Sequence, residues 1–358
     1  MSKIKITFGI IVLNGEPFTR YNLRAIYPFA HQIIVVEGAC PGAKNICSKD
    51  GHSLDSTLDS LRNFKLNEDT ENKLIIITAE DEGKPNGFWS EKDEMSEAYA
   101  KHATGNYIWQ VDIDEFYKPD DMKAVMKMLE NVQNITAITF RTHTFWGSLK
   151  YKVDSMSLRV MIQDVHRIFA WDKGCQYKSH RPPTVVNKDG IDLRSLKWLT
   201  AVDMVKQGIY MYHYAFLFPK QVEEKCNYYY NSTWSGGKEL SSLSWAEQSY
   251  FRLEHPFKVY YNNSELSWLE KFKDTHPPQV IDMFTDVKSG KFSGIYTRKN
   301  DNIEELLNDT IFKVKRIFVR FCVYMYSIFY KFKLKIRSLL IKTHIWPMVQ
   351  IIRKLKAK

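Results

Sequence analysis

No pair of cysteines in this chain of 358 residues stands at zinc-site spacing, and the five present, Cys40, Cys47, Cys175, Cys226 and Cys322, are odd in number and scattered. That argues against a disulfide framework or structural zinc and for a reducing compartment. An apolar strand begins almost at once, so no leader or cleavage site is expected, and with it a cytoplasmic protein. Internal repeats and low-complexity segments are lacking, which argues against solenoid and fibrous architectures. The first strand is not followed by a glycine-rich, lysine-bearing loop; Asn14-Gly15-Glu16-Pro17 stands there. This counts against a nucleotidyltransferase that cradles phosphates in such a loop. Residues 311–358 contain 13 Lys/Arg and no Asp or Glu. Their uncharged run, 321–330, is too short to span a bilayer.

The formal net charge of +10 is therefore segregated, because residues 1–310 hold 38 basic and 41 acidic side chains. A slightly acidic body with a basic tail points to contact with an anionic surface. Along the body, short apolar runs alternate with helical patterns. Strands are expected at Ile4 to Leu13, Gln32 to Gly38, Lys73 to Thr78, Tyr107 to Val111, Ile135 to Arg141 and Ile209 to Phe218. Helices are expected through Arg24 and Ile26, from Leu54 to Phe64, from Ser90 (as N-cap) to His102, from Met122 to Val132 and from Gln221 to Tyr230. Residues 142–187 are mixed and aromatic-rich, and 286–302 read as a polar linker. This alternation predicts an α/β fold with a mainly parallel sheet flanked by helices.

The stretch Gly105 to Phe116 carries the chemistry. Tyr107, Trp109 and Val111 alternate with Ile108 and Gln110 as in a buried strand. Asp112 and Asp114 follow, on one side if the period of two continues, with Glu115 next. Buried carboxylates need a counter-charge, and a hard divalent cation holding a diphosphate is the natural partner. Asn14-Gly15-Glu16 and Glu37-Gly38 close two other strands. Ligands of open α/β sheets sit outside such carboxyl ends, where one nucleotide could touch all three.

The ordered set of Asn14-Gly15-Glu16, Ile33-Ile34-Val35-Val36-Glu37-Gly38, Ser53-Leu54-Asp55-Ser56-Thr57, Ala103-Thr104-Gly105-Asn106-Tyr107 and Asp112-Ile113-Asp114-Glu115 resembles the GT-A glycosyltransferases, closest to their family 2-like group. The likeness covers roughly residues 4–120, and 160–260 loosely. It implies a GT-A-like domain over 1–300, with a nucleotide-sugar half (1–120) and an acceptor half (121–285). By position, Asn14, Glu16, Glu37, Asp55, Lys92 and Asp112 would contact a nucleotide-sugar donor, expected to be a uridine diphosphate sugar. Asp112 and Asp114, with His213 from the segment Met211-Tyr212-His213-Tyr214, would hold Mg²⁺ or Mn²⁺. His180 and Arg181 would face the acceptor, a glycan or lipid-linked hydroxyl. Glu247 is the general base favoured for an inverting transfer, with Glu239 and Asp172 as competitors.

In the tail, Lys313, Arg316 and Arg320 share one helical stripe amid apolar residues. A basic amphipathic helix over 301–358, lying on an anionic membrane surface, is the expectation. A polyanion such as nucleic acid is the alternative, disfavoured by the bulky aliphatics, and packing against the body or a second copy is a third. The expected whole is a bacterial transferase at the inner face of the cell membrane, active in cell-surface polysaccharide synthesis. A non-enzymatic membrane-attached scaffold of the same fold is the rival.

Overall fold

A computed structural model describes residues 3–84, 86–160, 164–231, 240–260 and 266–342. The strands run β1 (Ile6–Val12), β2 (Gln32–Glu37), β3 (Leu74–Ile77), β4 (Tyr107–Gln110), β5 (Glu115–Phe116), β6 (Ala137–Phe140), β7 (Thr142–Trp146), β8 (Tyr151–Ser155), β9 (Val165–Ala170), β10 (Gln176–His180), β11 (Pro183–Val186), β12 (Trp198–Leu199), β13 (Met211–Phe216) and β14 (Ser267–Lys271). The helices are α1 (Thr19–Ile26), α2 (Thr57–Asn67), α3 (Lys92–His102), α4 (Pro119–Asn131), α5 (Met156–Val160), α6 (Ala201–Lys206), α7 (Pro219–Asn231), α8 (Leu240–Trp245), α9 (Pro278–Lys288), α10 (Asp301–Asn308) and α11 (Thr310–Lys342).

Seven strands form the central sheet in the order β12-β6-β9-β4-β1-β2-β3. It is mainly parallel, as expected; β9 alone runs against its neighbours β4 and β6. Every residue of β2 is buried because helices cover both faces. On one face Phe8, Ile33 and Trp109 pack with Leu23 of α1, Leu61 of α2 and Val125 of α4. On the other, Ile34, Val36 and Ile108 pack with Met95 and Tyr99 of α3. Gly9 permits this approach, since a Cβ there would lie 2.5 Å from the Tyr99 ring.

A second sheet, β14-β8-β7-β13-β5, stands beside the first. The chain passes from β4 into β5 through the turn at residues 111–114, so the acids lie at the seam between the sheets. The Asn22 side chain fixes that turn by donating to the carbonyls of Ile113 (3.1 Å) and Glu115 (2.7 Å). The Tyr214 amide of β13 donates to the Asp114 carbonyl at 2.9 Å.

Several local expectations change. The strand predicted to deliver the aspartates ends at Gln110, so the turn and not strand alternation orients Asp112 and Asp114. Ser90 does not cap α3; its amide and hydroxyl both donate to Glu94 at 2.7 Å. The segment 286–302 is no free linker. It begins as the end of α9, and Arg298 lies 4.9 Å over the Trp146 ring and donates to the carbonyls of Tyr250 and Phe251. Ile303, Leu307, Phe312 and Val323 enter one core with Trp146, Tyr250 and Trp268, so the start of the tail packs into the body. Of the basic stripe, Arg316 and Arg320 lean toward the body while Lys313 stays exposed. Arg316 and Arg320 reach Glu270 of β14 at 3.6 and 3.7 Å. Apolar side chains, among them Val314, Ile317, Phe318, Phe321 and Tyr324, are left facing outward. No helix among the described residues is long and apolar enough to cross a membrane, and 343–358 lie outside those residues.

Candidate functional site

A cleft of about 300 Å³ opens at the carboxyl ends of β1, β2 and β4. Its floor includes Asn14, Glu16, Asp112 and Asp114, one wall comes from Lys92 of α3 with His180 and Arg181 of the β10–β11 hairpin, and the other from His213 of β13 and α7. Asp55 lines it too. Residues from seven separate segments thus converge where the topology of an open α/β sheet places a ligand.

The two aspartates have different partners. Asp114 Oδ1 lies 3.5 Å from His213 Nε2, while Oδ2 accepts from Gln221 Nε2 at 3.0 Å and Lys225 Nζ at 3.4 Å. Burial would raise its carboxyl, but Lys225 and His213 hold it far below the usual carboxylate range. Asp112 Oδ2 meets Arg167 Nη2 at 3.1 Å and Arg181 Nη2 at 3.9 Å. Against burial, these two guanidiniums depress it likewise. Glu115 turns away from the cleft and is 1% exposed, gripped by Arg167 through Nε (2.8 Å) and Nη2 (2.5 Å). Burial disfavours the Arg167 cation, but Glu115 and Asp112 hold its pKa above even the ordinary arginine value.

Among the described residues no cluster of three or more His, Cys, Asp or Glu side chains could by itself hold a metal. The donor set nevertheless fits a hard divalent ion. Two ligands on adjacent corners of an octahedron with bonds of ~2.1 Å are about 3 Å apart, close to the Asp114–His213 separation. Such an ion commonly takes few protein ligands and completes its shell with phosphate oxygens and water.

Other predicted contacts serve the fold. Glu37 is fully buried; Oε1 accepts from the Ser53 amide and hydroxyl at 2.8 and 2.7 Å, and Oε2 meets His52 Nδ1 at 2.7 Å. It braces the 48–53 loop and does not line the cleft, so the donor contact expected of it is corrected. Asn14, at φ 50°, spends its side chain on the Ile46 carbonyl (2.7 Å) and the Leu54 amide (2.8 Å). Asp55 accepts from the Glu16 amide at 3.0 Å and the Thr57 amide at 2.9 Å. Both border the cleft while latching its rim.

Glu247 is corrected as well. It sits on a π-helical turn (Ala246–Phe251), half exposed and paired with Arg252, and does not line the cleft. Of its competitors, Asp172 is exposed and accepts from the Gly174 amide, and Glu239 lies outside the described residues. His180 is 3% exposed; burial pushes its imidazole down to about 3, with Asp112 opposing and Arg181 and Lys92 adding. It is a neutral hydrogen-bonding group against Ser96 Oγ at 2.9 Å.

Two residues of consequence carried no local signal that singled them out. Arg167 interrupts an apolar strand, which in hindsight marks a charge with a distant partner. Glu224, on α7, lines the cleft. Burial pushes its carboxyl up to about 7 against Lys220, with Asp55 adding to the rise. Since its folded pKa exceeds the unfolded value, the group favours the folded state least once pH passes the folded value. Glu224→Gln is therefore expected to stabilise the fold at pH 8, by on the order of 2 kcal/mol, and to change its stability little at pH 5. Scanning calorimetry at the two pH values checks this; equal shifts at both would contradict it.

No protein-family model matches the chain, and neither does any curated protein. Solved structures similar to part of it include glucosyl-3-phosphoglycerate synthase from Mycobacterium tuberculosis with Mn²⁺, uridine diphosphate and glucosyl-3-phosphoglycerate, at 14% identity over 40% of this chain and 45% of that one, with a TM-score of 0.29. Another is a mannosyltransferase from Pyrobaculum calidifontis with GDP-Man and Mn²⁺, at 17% identity over 39% and 36%, with a TM-score of 0.28. The chain spans less than half the length of either. So partial an overlap assigns no residue a role.

Proposed function

We propose that this chain is a GT-A-like glycosyltransferase that moves a sugar from a nucleotide diphosphate donor to an acceptor hydroxyl. The observation that carries this reading is the meeting of Asp114 and His213, 3.5 Å apart, with Lys225 in one cleft at the strand ends. Asp114 and His213 would hold Mg²⁺ or Mn²⁺, and Asp112, which lines the same cleft, would meet the donor. Lys225 shifts from Asp114 to a phosphate oxygen. The bound ion would offset the negative charge that builds on the departing nucleoside diphosphate. Glu224 takes the acceptor proton in place of Glu247, because its carboxyl changes protonation near neutral pH inside the cleft. Glu224→Gln then lowers kcat between about a hundred and ten thousandfold. A uridine diphosphate sugar remains the first donor to try, with a guanosine diphosphate sugar second.

The test is release of nucleoside diphosphate across a panel of sugar nucleotides, with and without Mn²⁺. Metal-dependent turnover of one donor far above the rest supports the reading. Absence of both turnover and nucleotide binding leaves the scaffold alternative.

The outward face of α11 supports a second element of the proposal. Phe318, Phe321 and Tyr324 are each about three-fifths exposed beside further apolar side chains. A face of that kind, followed by a basic terminal sequence, suits the interface of an anionic membrane at the cytoplasmic side. Acceptors there would be lipid-linked or cell-surface glycan precursors. Phe318→Glu with Phe321→Glu is expected to abolish sedimentation with phosphatidylglycerol vesicles. Equal sedimentation of wild type and variant would refute membrane docking by this face.

A further inference from the structure

One wall of the cleft carries positive charge that the donor reaction does not use. On the side away from His213, Lys92 Nζ lies 4.2 Å over the Tyr228 ring, and it makes no ion pair with a carboxylate among the described residues. Arg181 Nη1 donates to the Tyr229 hydroxyl at 3.2 Å and stands 3.9 Å from Asp112, which Arg167 already meets more closely. Around the seam there are four cations, Lys92, Arg167, Arg181 and Lys225, against three carboxylates, Asp112, Asp114 and Glu115. The remaining acids of the cleft, Glu16, Asp55 and Glu224, neighbour one another and Asn14, with Lys220 as the cation beside them. A donor diphosphate carries two negative charges, and a divalent ion at Asp114 and His213 cancels them. The cationic surplus then persists with the donor in place.

We propose that the acceptor carries a phosphoryl group, seated by Lys92 and Arg181 beside Tyr229, so that the transferase is selective for phosphorylated acceptors. This rests on the glycosyltransferase reading and moves Lys92 from the donor to the acceptor. An arginine fork and a lysine point charge converging on one wall are the usual means of holding a phosphate. The Tyr229 phenol reports the same surplus. Burial opposes its ionisation, yet Arg181, Lys225 and Lys92 pull it down to about 8. Burial and Arg181 likewise hold the Lys92 ammonium below its ordinary value, a penalty that a bound anion would relieve.

The experiment is calorimetric titration of the full chain, first with uridine diphosphate and Mg²⁺ to saturation, then with inorganic phosphate and with glycerol 3-phosphate. Wild type is expected to bind both phosphates in the loaded state. Lys92→Gln should weaken them at least about tenfold, Lys92→Arg should restore them, and the affinity for uridine diphosphate with Mg²⁺ should stay within about threefold. An unchanged thermal midpoint shows that Lys92→Gln is folded. If Lys92→Gln instead weakens the nucleotide and leaves phosphate alone, these cations serve the donor and the inference falls while the glycosyltransferase reading stands. If no nucleotide binds, that reading falls, and the titration of the unloaded protein decides the anion site. Loss of phosphate in Lys92→Gln upholds it, and absence of phosphate binding to wild type overturns it. Vesicles containing phosphatidic acid, set against phosphatidylcholine alone, separate the sources. A Lys92→Gln defect on the vesicles assigns a lipid phosphate, and a defect confined to glycerol 3-phosphate assigns a soluble one.

Discussion

Asp114→Ala is expected to weaken metal-dependent binding of a nucleoside diphosphate by at least about a hundredfold and to remove turnover with it. The carboxylate supplies one of the two protein donors proposed for the ion, His213 Nε2 being the other at 3.5 Å. Its removal also frees Lys225, now 3.4 Å from Oδ2, to occupy the space with a charge that repels any cation. Loss of the ligand and gain of the repulsion act in the same direction. Because Asp114 is depressed in the folded state, it contributes stability above the ordinary aspartate pKa, and that contribution is lost as pH falls through the folded value. The alanine variant should therefore also unfold more easily at neutral pH, and the difference from wild type should shrink in acid. Calorimetry with uridine and guanosine diphosphates, with and without Mg²⁺, is the measurement. Wild-type, metal-dependent affinity in Asp114→Ala would remove the site from Asp114 altogether.

The parts of the fold written in local pattern were legible. The β-branched runs of β1, β2 and β3 and the apolar β4 announce buried parallel strands, and the acids and turn residues that follow β1 and β4 do border the cleft. What escaped depends on partners far along the chain. Arg167 makes β9 look unfit for a sheet interior until Glu115 and Asp112, more than fifty residues earlier, are seen to neutralise it. Arg298 sits in a polar, glycine-bearing stretch that reads as linker, but its guanidinium is spent on the Tyr250 and Phe251 carbonyls. In the tail, helical spacing put Lys313, Arg316 and Arg320 on one stripe; Arg316 and Arg320 reach Glu270 of the body, and Lys313 stays exposed. Glu37 shows the limit most plainly. A strand-end acid faces ligand or loop according to how the next loop folds, and Ser53 and His52 captured this one. The candidate base failed for a similar reason, since motif likeness at Glu247 says nothing of exposure, and the cleft carboxylate Glu224 belongs to no recognisable spacing.

Arg167→Met should destabilise the protein by about 3–5 kcal/mol, the largest stability effect expected of a single side chain at the site. The substitution fills a similar volume, so little of the cost is cavity. The cost comes from leaving Glu115, 1% exposed, with a buried charge and no guanidinium. Arg167→Lys recovers only part, because one ammonium cannot reproduce the two-point grip on Glu115 together with the contact to Asp112. Adding Glu115→Gln to Arg167→Met should return much of the loss, since the uncompensated charge is then gone. Urea unfolding of the two single variants and the double gives the coupling directly, and a loss under about 1 kcal/mol in Arg167→Met would mean that Glu115 is not held as a buried anion. The same cycle reaches the chemistry. Arg167 fastens Glu115, at the start of β5, to Asp112 in the turn, so under the proposed function it would hold the turn in place for a diphosphate. In the double variant Asp112 keeps Arg181 as its cation but loses its tether to the sheet. Recovered stability with unrecovered donor affinity would show that the buried arginine holds the aspartate turn for binding as well as for folding.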